Sequence, residues 1–237
     1  MSDFERYGDY NEIDDEPPKR RNFVTLIIKL AAALVIIAVV GVVGVRMFIF
    51  DHYPAEMRKL YFTPALTDYY NSADGMFTPL TQNLRAPYDN ADEGNFFCDH
   101  LIIVPEAGHL QICLRYNKSI VSSLEENYGF SGFDIYNEEQ FSFRLWRSST
   151  AENPGGEEVG KLVQTRWDEF AMYRYCRLSF EDVDFGMEGD EGAKWIRLEI
   201  FIDGLEKDSP FMVAIYENNE NYSNFSKYKL TKGELPR

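Results

Sequence analysis

Cysteine and histidine are scarce, three of each in 237 residues, and bases are outnumbered, 24 Lys and Arg against 39 Asp and Glu. Each shortage removes a class of protein. Three cysteines cannot frame a disulfide-dense miniprotein. A formal net charge of −15 offers nothing to draw phosphate, so no nucleic-acid partner is expected. The familiar catalytic signatures are missing too: there is no G-x-S-x-G, no P-loop and no G-x-G-x-x-G. Core-building residues, by contrast, are plentiful. With 18 Phe, 15 Tyr and 3 Trp, the chain is not a disordered acidic tail. The residues tell where the protein sits and what its outer part is built from. They do not spell an activity.

One long hydrophobic run stands near the N-terminus. Residues 23–50 read FVTLIIKLAAALVIIAVVGVVGVRMFIF, with Lys29 and Arg46 its two charges. As a helix this stretch would be ~42 Å long, against the ~30 Å hydrocarbon core of a bilayer. The surplus lets Lys29 and Arg46 sit near opposite edges and snorkel to the headgroups. A helix apolar on every side is disfavoured in the core of a domain this small. Lys19, Arg20 and Arg21 precede the run directly, whereas Asp51, His52 and Glu56 follow it before Arg58 and Lys59. That asymmetry predicts a cytoplasmic N-terminus. A cleavable signal peptide would want a short basic lead and a small-x-small cleavage site. Here the lead is acidic and the run ends in Met47-Phe48-Ile49-Phe50, so an uncleaved signal anchor is expected. Gly41 and Gly44 are spaced by three, not the four of a small-xxx-small dimer face.

Around this anchor the chain divides into four parts. Residues 1–22, with Pro17-Pro18 and no apolar period, are expected to be a disordered cytoplasmic tail. Tyr10-Asn-Glu-Ile13 has the Tyr-x-x-apolar form of a sorting signal, a pattern short enough to arise by chance. Residues 51–75 are expected to be a helical stalk, with Pro54 and Pro64 in first turns and Thr63 as an N-cap. From residue 76 to 237 the period becomes two. Leu110, Ile112 and Leu114, Phe141, Phe143 and Leu145, and Ile196, Leu198, Ile200 and Ile202 each alternate with other residues, as in strands with one face to a core. The odd-numbered neighbours of Leu110, Ile112 and Leu114 and of Ile196, Leu198, Ile200 and Ile202 are expected to be more exposed. Further strands are expected at about 77–86, 95–104, 171–184 and 210–217. Residues 97–104 and 109–117 read as a hairpin. Residues 119–128 read as a helix capped by Ser119 and ended by Gly129, and Asn153-Pro-Gly-Gly156 reads as a loop. The expected fold is a single transmembrane helix plus a mainly-β extracytoplasmic domain, a β-sandwich of immunoglobulin-like architecture with a short helical insert.

Candidate chemistry is thin. Outside a membrane, Cys98 could bridge Cys113 across the hairpin, or Cys113 could bridge Cys176; equally, all three are small buried hydrophobes. His100, Glu106 and His109 share one hairpin without the H-E-x-x-H spacing of a zinc site. Asp182, Asp184, Glu188, Asp190 and Glu191 crowd one Gly-containing loop, and Asp89, Asn90, Asp92 and Glu93 another. Neither has the EF-hand spacing, and a solvated acidic loop without metal is expected. Ser226-Lys-Tyr-Lys229 spells S-x-x-K but lies too near the C-terminus for the rest of that machinery. Asn117-Lys-Ser119, Asn221-Tyr-Ser223 and Asn224-Phe-Ser226 have the N-glycosylation form. No catalytic, cofactor or metal residue is assigned. The expectation is a type II single-pass plasma-membrane protein. Its outer domain binds or assembles with a protein partner at the cell surface. The alternative is an envelope hydrolase with an unrecognised site. Residues 51–237 hold 18 bases and 32 acids, so this part should stand off anionic headgroups.

Overall fold

The computed structural model describes residues 23–51, 53–73, 77–84, 96–148, 156–185, 195–205, 211–217, 222, 224–231 and 233–236. The chain forms two compact units, Met1–Asp51 and His52–Arg237. In the first, helix α1 (Phe23–Asp51) has Phe23–Ile49 long and apolar enough to cross a membrane, with none of its most apolar stretch buried. Nothing in the run breaks a helix: it has no proline, and apart from Lys29 and Arg46 near its ends it is apolar on all sides. The acidic tail 1–22 lies outside the described residues.

The second unit is mostly β. Its strands are β1 (Leu80–Asn83), β2 (Phe96–Val104), β3 (His109–Asn117), β4 (Phe141–Ser148), β5 (Glu157–Glu158), β6 (Lys161–Phe170), β7 (Tyr173–Glu181), β8 (Trp195–Ile202), β9 (Phe211–Glu217) and β10 (Ser226–Lys227). They make two antiparallel sheets, β10-β1-β2-β3-β7-β6 and β5-β4-β8-β9. One core joins the two. The first sheet gives it Leu101, Ile112, Leu114 and Leu178; the second gives Leu145, Leu198 and Ile200. Helices α2 (Pro64–Ser72) and α3 (Ser119–Tyr128) complete the unit.

Local chemistry explains the joints. Pro105–Ala107 makes a 3-10 turn between β2 and β3, closed by Gly108 at φ 57°. A side chain there would strain the left-handed backbone and press on the Val183 backbone, 3.3 Å from an added Cβ. Thr63 caps α2 by accepting from Leu66 N–H at 3.3 Å, with Pro64 at the first helical position. Helix α3 stops at Gly129, left-handed at φ 66°. Its start differs from expectation: Lys118 is the N-cap, and the Asn117 side chain, not Ser119, takes up a free N–H, that of Ser119 at 2.8 Å.

The in-facing alternation holds: Leu110, Ile112, Leu114, Ile196, Leu198, Ile200 and Ile202 are all buried in the shared core. The expected exposure of their neighbours does not. Gln111, Cys113, Arg115, Arg197 and Glu199 are buried as well. On β3 the reason is a second layer: residues 53–63 lie over the outer side of the sheet, and a small core of Leu60, Leu66, Ile102 and Val104 forms there. The residues expected as a stalk thus pack within the β unit. Strand β6 was not foreseen. Its ladder skips between Leu162 and Gln164, a bulge that reverses the phase of alternation. The strand expected over 171–184 begins at Tyr173 after a turn and ends at Glu181.

Leu198 is fully buried. Leu198→Ala is expected to destabilise the protein by ~2–5 kcal/mol in urea unfolding. Val163→Ala, at an exposed site, is expected to stay within ~0.5 kcal/mol. Equal effects would contradict the assignment of faces.

Candidate functional site

The polar side chains that strand alternation sends away from the core are not in solvent. They form a buried layer on β2, β3 and β7, and they grip the chain that lies over them. Gln111 is the clearest case. Its amide Nε2 donates to Lys59 O at 2.9 Å, and its Oε1 accepts from Tyr61 N–H at 2.8 Å. One side chain thus supplies both halves of a strand-like pairing. Arg177 Nη1 donates to Glu56 O at 2.9 Å, and Nη2 to Gln164 Oε1 at 3.3 Å. The C-terminal segment closes the other side. Glu234 Oε1 accepts from Leu60 N–H at 2.9 Å, while its Oε2 accepts from Thr231 N–H at 2.7 Å. Tyr228 OH donates to Glu234 Oε1 and lies 3.2 Å from Arg58 O. These bonds hold Glu234 below the usual carboxylate range although burial opposes them.

At one end of this layer stands an ion pair. The β2–β3 ladder skips between Cys98 and His100, so Asp99 bulges out of register. Its Oδ2 lies 3.0 Å from Arg115 Nε, with both side chains almost wholly buried. Aromatic rings enclose the arginine: its guanidinium carbon is 4.9 Å from the Tyr173 ring centre and 5.6 Å from that of Tyr53. Arg58 covers Tyr53 from outside at 4.0 Å. Burial pushes the Asp99 carboxyl up to about 7, against the pull of Arg115 and a Tyr53 hydrogen bond. Burial also raises the Tyr53 phenol, with Asp99 adding to the rise. Two histidines move the opposite way. Burial lowers His100 and His109 to about 4, so both are neutral. His100 Nδ1 is 3.0 Å from Asn83 Oδ1. Both ring nitrogens of His109, and the Ser179 hydroxyl, are buried with no hydrogen-bond partner among the described residues.

The candidates from the sequence fall apart in space. His100 faces Cys113 and His109 faces Val104, rungs ~13 Å apart at ~3.3 Å per residue. Glu106 is exposed at the hairpin turn. Among the described residues no group of three or more His, Cys, Asp or Glu side chains is placed to hold a metal ion. The three cysteines are free and buried. Cys98 and Cys176 both pair with Leu114, one on each side of it. Two strand spacings, ~9.5 Å, exceed the ~7 Å limit for a disulfide. Cys113 packs on the opposite face with Met57 and Tyr175. Of the acidic loop, Asp184 Oδ2 bonds Arg147 Nη1 at 2.8 Å and Asp182 is exposed. Glu188, Asp190 and Glu191 lie outside the described residues, as do Asp89, Asn90, Asp92 and Glu93. Ser226 and Lys229 are exposed, Ser226 in the β10 edge. Asn224 is exposed, whereas the Asn117 side chain is engaged with Ser119. Asn221 and Ser223 are outside the described residues.

The residues that grip the overlying segment, Gln111, Arg177, Tyr228 and Glu234, carry no motif. The available signal was composition: Cys113 and Tyr175, two apolar residues, sit on faces that alternation alone would give to solvent. Comparison of the chain with protein-family models, with curated proteins and with solved structures finds no match.

Gln111→Leu keeps the volume but strips Lys59 O and Tyr61 N–H of their partner. It is expected to cost ~1–3 kcal/mol and to speed hydrogen exchange across residues 53–63. A change within ~0.5 kcal/mol with unaltered exchange would contradict the grip.

The buried titrating groups pull in opposite directions. His100 and His109 stabilise above their ordinary 6.5, and this is lost as pH falls towards about 4. Asp99, raised from 3.8 to about 7, stabilises at low pH and loses its contribution as pH rises through about 7. Between pH 7 and 4 it therefore offsets part of the histidine loss. Asp99→Asn removes the offset, so its stability should fall more steeply with acid than that of the wild type. The extra slope is about 1.4 kcal/mol per pH unit for one proton. Urea midpoints measured across this range check it, and parallel curves would contradict the raised carboxyl.

Proposed function

We propose that the chain is a single-pass membrane protein whose β unit is a binding or assembly module on the outer face of the plasma membrane. The observation that carries this reading is the helix Phe23–Ile49, apolar along its length and unburied, followed two residues after Asp51 by Tyr53 in a buried layer of the β unit. The basic residues Lys19, Arg20 and Arg21 before the helix support a cytoplasmic N-terminus and a type II orientation. The β unit is read as a sandwich in the broad immunoglobulin-like sense, since both sheets feed one core. Its division into six and four strands departs from the four and three of a constant-type immunoglobulin domain. The role in binding rests on how the polar groups are used: Gln111, Arg177 and Glu234 serve internal backbone contacts. A rigid domain of this kind offers surfaces rather than chemistry.

The envelope hydrolase remains the second reading, and one observation favours it. His109 and Ser179 are a buried base and hydroxyl without hydrogen-bond partners among the described residues, on neighbouring strands. Their complete burial in the layer under residues 53–73 weighs against it. A fluorophosphonate probe separates the two readings: labelling abolished by Ser179→Ala would favour the hydrolase.

Orientation is tested on intact cells with a membrane-impermeant thiol reagent. A cysteine added after Arg237 is expected to label, and one placed next to Met1 is not. The reverse pattern would overturn the topology and, with it, the surface role.

A further inference from the structure

We propose that strand β6 is the assembly surface of this protein, and that it pairs antiparallel with β6 of a second copy about a two-fold axis at Trp167. The proposal deepens the assembly reading by naming the partner. Strand β6 ends the six-stranded sheet and bonds only to β7. Among the described residues no other strand or loop makes a backbone hydrogen bond to it. An open edge of this length is a template for another strand. Its bulge at Val163 restricts regular pairing to residues 164–170.

Charge on that stretch is only partly compensated within one copy: Arg166 acts at a distance on Glu56, adding to the effect of Lys59 that holds this carboxyl low. Arg166 sits directly opposite Arg177 in the β6–β7 ladder, a like-charge pair. Arg166 is exposed and makes no salt bridge among the described residues. Asp168, two residues on and on the same face, accepts the N–H of Glu169 at 2.8 Å and no other hydrogen bond among the described residues. A second copy supplies each with a directly opposed partner. A two-fold axis normal to the sheet pairs like faces, so Trp167 meets Trp167 and Arg166 meets Asp168 twice, reciprocally. The neighbouring registers are worse. An axis at Arg166 sets arginine against arginine, and one at Asp168 sets aspartate against aspartate. The register about Trp167 also gives the longest regular overlap and puts Thr165 opposite Glu169, both exposed. Anchoring both copies in one bilayer would raise their effective concentration, so a short edge can suffice.

The test uses the full chain in liposomes, carrying Thr165→Cys and Glu169→Cys as a pair that can join only across the interface. Within one copy those positions are ~13 Å apart along the strand. The native cysteines are buried. Mild oxidation is expected to give a covalent dimer. Adding Arg166→Asp, or Asp168→Arg, turns both reciprocal attractions into repulsions and is expected to cut the yield about tenfold. The double reversal Arg166→Asp/Asp168→Arg is expected to restore it. Equal yields in all four proteins, no dimer at all, or a disulfide to some other membrane protein would overturn the proposal. None of these results touches the anchor reading, which the thiol labelling of the termini decides separately.

Discussion

Everything on the outer side of the six-stranded sheet depends on one side chain being able to act as a piece of backbone. Gln111 offers a donor and an acceptor in fixed relation, and residues 59 and 61 meet them with a carbonyl and an N–H. A segment laid over a sheet without joining its ladder cannot satisfy its polar groups from apolar neighbours, and each left unmade costs ~1–3 kcal/mol. Arg177 and Glu234 meet the same need on either side. Once those bonds exist, water can be excluded and apolar contacts follow. Met57, Leu60 and Leu66 are then buried along the segment, each to within a few per cent.

This arrangement explains what alternation revealed and what it concealed. Ile196, Leu198, Ile200 and Ile202 were legible as core because every one is apolar and every neighbour is polar or bulky. Their opposite face was misread for the same reason: a period of two distinguishes two faces but cannot say that both are covered. Gln111 and Arg115 look like solvent residues until the covering segment is seen. Strand β6 was illegible because the Val163 bulge shifts its phase, and because four of its residues, Lys161, Arg166, Asp168 and Glu169, are charged. Thr63-Pro64 and Gly129 were legible because capping is local chemistry. The grip on residues 53–63 was not, since Leu60 and Glu234 are 174 residues apart in sequence.

A buried polar layer is a poor source of net stability. Pairs such as Asp99 and Arg115 lose in desolvation much of what they gain in attraction, and an apolar layer of equal volume would hold as well. The difference lies in register. An apolar surface accepts an overlying strand at several offsets, whereas Gln111 bonds only where a carbonyl and an N–H are spaced as in residues 59 and 61. Tyr53 against Tyr175, at 5.6 Å between ring centres, fixes the same segment nearer its start. The segment begins directly after α1, which ends at Asp51. Selectivity for one offset is the reason a surface of hydrogen bonds, rather than one of leucines, suits a segment that has to lie in a single register on the sheet.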